Sequence, residues 1–93
     1  MRKTETTLEL GRLVTTPGVL RKVPQGEIEA ALARHRSCDW GDVSPNDKKA
    51  NDDDSKNGGG SIVSAYHSKD GTKFLIITEW NRSVTTVLLP EEH

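Results

Sequence analysis

One cysteine stands in the 93 residues of this chain. A single cysteine, Cys38, excludes an intramolecular disulfide framework and a structural zinc site built on thiolates. No apolar run approaches the roughly 18 residues that span a bilayer. No apolar stretch follows the charged start Met1, Arg2, Lys3. A signal peptide is therefore not expected, no membrane association is read, and a cytoplasmic protein is the economical reading. An excess of either charge is lacking too: 13 Lys plus Arg face 14 Asp plus Glu, for a net charge of -1. That disfavours a globally basic nucleic-acid binder and equally a polyanionic DNA mimic. Large aliphatics are scarce. Leu, Ile, Val and Phe number 8, 4, 7 and 1, together 20 of 93, close to the roughly 20% level below which disorder becomes the default. One small domain over residues 1–93 is expected, with a modest core, because a chain this short buries only about 60–65% of its unfolded surface.

The charge that is present is unevenly placed. Residues 1–38 carry seven bases and four acids, residues 39–60 carry six Asp and three Lys, and residues 61–93 carry three bases and four acids. A basic front, an acidic middle and a near-neutral end result.

In the segment Thr6 to Val14, Leu8 and Leu10 alternate with polar residues, so a short strand is expected. Thr16 followed by Pro17 is a helix start, and Pro24 and Gly26 keep that helix short. From Glu27 to about His35, Ile28, Ala31 and Leu32 recur at helical spacing, with Arg34 and Arg36 suiting the C-terminal end of the dipole. Ser44, Pro45 and Asp47 start a polar helix of about two turns, which Asn57-Gly58-Gly59-Gly60 ends. Ala50 is its one apolar residue, so a surface position is expected. Ser61 to His67, Thr72 to Glu79 and Ser83 to Leu89 are rich in β-branched and aromatic residues, and turns at Asp70-Gly71 and Asn81-Arg82 join them. The fold class is α+β: an N-terminal strand and short helices, then a three-stranded antiparallel meander.

Two-residue loops at both turns put Val63, Ala65, His67, Phe74, Ile76, Thr78, Thr85, Val87 and Leu89 on one sheet face. Ile62, Ser64, Tyr66, Leu75, Ile77, Glu79, Val84, Thr86 and Leu88 fall on the other. Both faces are largely apolar, where a sheet with one wet face would alternate cleanly. Val19, Leu20, Ile28, Ala31 and Leu32 should cover one. A homodimer through the other is expected, with Ile62, Leu75, Ile77 and Leu88 as its seam.

Chemistry could sit in two strings. In His35-Arg36-Ser37-Cys38-Asp39-Trp40-Gly41-Asp42, His35 could act as acid or base oriented by Asp39 or Asp42. The plainer reading is a helix end whose Trp40 anchors the linker to the core. Cys38 beside His35 reads as a small residue, because no nucleophile motif accompanies it. In Glu79 to Thr86, Arg82 with Thr78 and Thr85 could hold a phosphate, against the plainer reading of turn and strand chemistry. Asp52, Asp53 and Asp54 lack the alternating ligand spacing of a calcium loop and read as a solvated charge run. No metal site and no cofactor are implied. Gly58-Gly59-Gly60-Ser61 is no P-loop, since no Gly-Lys-Ser/Thr follows and a strand comes next.

Leu10-Gly11-Arg12-Leu13-Val14 with Thr16-Pro17-Gly18, Arg34-His35 through Asp39-Trp40-Gly41-Asp42, Ser64-Ala65-Tyr66, Ile77-Thr78-Glu79 and Arg82 through Glu92 together resemble a family of short bacterial proteins from plasmids, integrative elements and phage-derived regions. The resemblance covers nearly the whole chain. It implies a small mobile-element accessory protein that works by protein–protein interaction on a host or element-encoded protein. A host defence complex that binds nucleic acid is the expected target. Asp39, Trp40, Asp42, Asp52, Asp53 and Asp54 are the candidate partner-binding residues, and direct nucleic-acid binding is not favoured. His93 stands where the family tends to end in an aromatic residue. A weaker resemblance is to the barnase/EndoU/RelE group of small ribonucleases. It implies a metal-independent cleavage in which His35 takes the ribose 2′-hydroxyl proton, Arg82 stabilises the phosphorane and Thr85 positions it.

Overall fold

The computed structural model describes residues 8–93. The chain runs through β1 (Arg12–Thr15), α1 (Pro17–Lys22), α2 (Gln25–Arg36), α3 (Pro45–Asn57), β2 (Ile62–His67), β3 (Lys73–Thr78), β4 (Val84–Leu88) and a closing 3-10 turn, Pro90–Glu92. The class is α+β, with the expected meander inside a four-stranded mixed sheet of order β1-β4-β3-β2. The N-terminal strand joins the sheet edge, parallel to β4. It begins after Leu8 and Leu10 rather than on them; Thr6 and Thr7 lie outside the described residues.

Local chemistry sets the helix ends. The Thr16 hydroxyl accepts the Val19 N–H at 3.2 Å, and Pro24 cannot continue α1. The Pro24 carbonyl accepts the first N–H groups of α2, so that helix starts at Gln25, slightly before the expected Glu27. At its far end the Asp39 N–H reaches the Arg34 carbonyl and the Cys38 N–H the His35 carbonyl. Cys38 takes φ +66. This is a Schellman closure with cysteine where glycine is usual, and it swings Trp40 back beneath α2. Ser44 caps α3 by accepting the Asp47 N–H at 3.1 Å, as expected, but α3 runs for 13 residues.

The β2–β3 register departs from expectation. Ser68 N–H donates to the Thr72 carbonyl at 2.9 Å, and Ile62 faces Thr78. The loop therefore holds three residues rather than two. Asp70 bonds the Ser68 hydroxyl and Gly71 takes φ +91, the left-handed position that a three-residue hairpin requires. One extra loop residue shifts pairing by one and turns every β2 side chain over. Ile62, Ser64 and Tyr66 thus join Phe74, Ile76, Thr78, Thr85, Val87 and Leu89 on the helix-covered face, while Val63, Ala65 and His67 turn outward. The β3–β4 register is as expected, and Arg82 takes the positive φ of that turn.

The main core joins Val19, Val23, Ile28 and Ala31 to Tyr66, Phe74, Ile76, Val87 and Leu89. Leu20, expected to cover the sheet, is exposed instead. A second cluster packs Leu8, Trp40 and Ile62. The expected dimer seam is therefore not one surface, since Ile62 is interior. On the outward face Ile77 and Leu88 are only 9% and 7% exposed, so that face is less open than its composition suggests.

Candidate functional site

The corrected register brings a histidine and three hydroxyls together inside the sheet–helix interface. His35 on α2 reaches Ser64 on β2 through Nδ1 and Thr78 on β3 through Nε2 at 2.8 Å. Thr78 meets Thr85 on β4 at 2.7 Å, and the Thr85 hydroxyl donates to the Leu10 carbonyl at 2.7 Å. All four side chains are fully buried. The Leu10 carbonyl can only accept, which orders the whole chain. Thr85 donates to it, Thr78 donates to Thr85, and Nε2–H donates to Thr78. Burial keeps the ring neutral, which leaves Nδ1 as the acceptor of the Ser64 hydroxyl, a group that also lies 3.5 Å from the Ile76 carbonyl. The network thus selects the neutral Nε2–H tautomer, and burial holds the imidazole pKa down at about 4. Both ring nitrogens are occupied and neither meets solvent.

His35 and Thr85 therefore do come together, linked by Thr78, but as an interior frame. Arg82 is committed elsewhere. Its guanidinium donates to the carbonyls of Gly60, Glu79, Trp80 and Asp54 at 2.9, 3.2, 3.2 and 2.7 Å. That ties the β3–β4 turn to the end of α3 and leaves few donors for a phosphate.

The acidic segment is held against the free edge of β2. Ala65 N–H donates to the Trp40 carbonyl, and Asp42 N–H to the Ala65 carbonyl, at 3.1 and 2.8 Å. Gly41 sits between them at φ +72, where an added Cβ would collide with the Ala65 carbonyl. Further along, Asn51 pairs with both backbone groups of Val63, at 2.8 and 3.4 Å. An exposed strand edge is thereby closed. α3 is docked by polar bonds rather than an apolar stripe, and Ala50 faces solvent.

The candidate partner-binding residues divide accordingly. Trp40 is 2% exposed. It packs edge-on to His35 and donates its indole N–H to Asp52 at 2.9 Å. It is the core anchor, and burial removes it from the contact set. Asp39 forms a two-pronged pair with Arg34 at 2.8 and 3.2 Å, which pulls its carboxyl pKa down and raises that of the guanidinium. Asp52 is held by Trp40 and by Lys48, and its pKa is lowered for the same reasons. Asp54 is half-buried, while Asp42 and Asp53 stand exposed.

Two surface features carried no clear mark in the sequence. Trp80, beside the β3–β4 turn, is 63% exposed; at the end of an alternating strand it reads like any other strand aromatic. His67 Nδ1 lies 3.4 Å from Asp42 at a shallow cleft of about 380 Å³ shared with Arg34 and Tyr66. Its outward direction follows only from the corrected register. Burial pushes the Tyr66 phenol up to about 12, and its O–H donates to the Asp39 carbonyl at 2.7 Å. Among the described residues, no group of three His, Cys, Asp or Glu could hold a metal ion, and no helix is long and apolar enough to cross a membrane.

No protein-family model, no curated protein and no solved structure matches the chain.

Proposed function

We propose that this protein acts by protein–protein interaction, presenting the exposed carboxylates of the 42–53 segment to a basic surface on its partner. The observation that carries this reading is how α3 is held. The helix buries Asn51 alone, yet polar bonds to β2, Trp40 and Arg82 fix it in place. Asp47 near its start and Asp53 in its last half remain exposed, and Asp42 just before it is exposed as well. Charged groups so fixed steer association and suppress wrong partners more than they add affinity. The resemblance to short mobile-element proteins supports a host or element-encoded partner. A basic groove that ordinarily takes nucleic acid, as in a defence complex, has the complementary chemistry.

The mutations must spare Asp52, because it holds Trp40. Asp42→Asn, Asp47→Asn and Asp53→Asn together should leave melting within about 0.5 kcal/mol of the parent, as surface changes do. Capture of a protein partner from bacterial lysate should be lost, and capture by the parent chain should fall with rising salt. Retention of the same partner by the triple variant at low salt would overturn the electrostatic reading.

A further inference from the structure

We propose that the free edge of β1 is a docking site for an extended, acidic and apolar segment of a partner protein, taken up as a fifth strand. β1 and the α3-covered β2 are opposite edges of the sheet, so this site does not rest on the acidic-face reading.

The backbone supplies the first argument. Arg12 N–H donates to the Ser83 carbonyl and Thr16 N–H to the Val87 carbonyl. Along a strand, successive residues point their backbone groups to opposite sides. The N–H and C=O groups of Leu13 and Thr15 therefore face away from β4, and no described segment pairs with them. The β2 edge is closed by Trp40 to Asp42 and by Asn51; the β1 edge has no such cover among the described residues. An open edge is a ready template for strand addition.

The side chains supply the second argument. Leu13 is 53% exposed on the helix side of this edge, and Val14 is 37% exposed on the outward side. Leu13 and Leu10 also line a groove of about 470 Å³ against Leu32 and Arg36. A neighbouring groove of about 500 Å³ adds Leu8 and Arg82. Neither Arg12 nor Arg36 has a carboxylate partner among the described residues, and Arg82 is satisfied by carbonyls alone. Positive charge thus flanks the edge on both faces, with Glu9 as the opposing charge at the groove. An incoming strand with alternating carboxylates and aliphatics would complement both the arginines and the leucines. A second copy of β1 would instead bring its own Arg12 to the same edge, which like-charge repulsion disfavours.

The test uses the full chain with two synthetic hexapeptides, one alternating glutamate and valine, the other alternating lysine and valine. Amide hydrogen exchange and a binding titration are read together. The acidic peptide should bind at least about tenfold more tightly than the basic one and slow exchange at the Leu13 and Thr15 amides. The double variant Arg12→Glu with Arg36→Glu should reverse that preference while keeping the far-ultraviolet spectrum of the parent. Equal binding of the two peptides would overturn the proposal, as would binding that leaves the Leu13 and Thr15 amides unprotected. Protection of those amides in the chain alone, rising with its concentration, would also overturn it by showing a second copy in the site.

Discussion

Trp40→Ala is expected to lower the unfolding free energy by about 3–5 kcal/mol, the usual cost of deleting a buried large aromatic. The indole is the hub of the smaller core cluster with Leu8 and Ile62, it packs edge-on to His35, and its N–H anchors Asp52 of α3. Its removal opens a cavity and leaves α3 with one fewer polar tether. On a domain this small that is a large part of the total stability. Chemical denaturation checks it through the shift in midpoint at unchanged slope. Trp40→Phe separates the two contributions. It keeps most of the buried ring and loses the hydrogen bond to Asp52, so a smaller cost of about 1.5–3 kcal/mol is expected, that of one hydrogen bond to a charged group. A Trp40→Ala chain that melts like the parent would contradict the placement of the indole.

The second large effect is acid lability carried by His35. Its folded pKa is about 4, below the unfolded value near 6.5. Between those two values the unfolded chain binds a proton that the folded chain does not. Stability is therefore complete above about pH 6.5 and falls as the pH drops to about 4. The loss amounts to about 3 kcal/mol, at 1.36 kcal/mol for each unit of displacement. The carboxylates whose pKa values are lowered, Asp39, Asp52, Asp70 and Glu92, act mainly below that window. His35→Ala should cost about 2–4 kcal/mol at neutral pH through its cavity and the hydroxyls it leaves short of a partner. It should also flatten the stability curve between pH 4 and 6.5. A variant that retains the parent's slope there would assign the acid lability to another group.

Local signals were legible where a residue's own chemistry sets the backbone. Thr16 and Ser44 mark helix starts, Gly58 a helix end, and the three meander strands stand out by composition. What failed was the count of one loop. Asp70-Gly71 reads as a two-residue turn, but the Ser68 hydroxyl bonded to Asp70 closes a longer one. That single residue moved Ile62, Ser64 and Tyr66 to the helix side. The His35 network was hidden by the same error, because Ser64 shares the helix-side face with Thr78 and Thr85 only in the correct register. In that register, hydroxyls recurring at interior positions opposite a helical histidine are a readable sign of a polar network. α3 was legible as a surface helix, but not its means of attachment, since Asn51 resembles any other polar residue of that helix. The edge position of β1 could not be read from its short apolar pattern, because its parallel pairing with β4 sets it.

The central claim is that the imidazole of His35, the general base of the ribonuclease alternative, is closed inside the fold. The most direct measurement is a nuclear magnetic resonance pH titration of the imidazole nitrogens and carbons. His35 is expected to remain neutral down to about pH 4, with Nε2 protonated, Nδ1 bare, and its N–H slow to exchange with water. A His35 midpoint near 6.5 with rapid solvent exchange would contradict the account. It would make the imidazole available for acid–base chemistry and reopen the ribonuclease alternative.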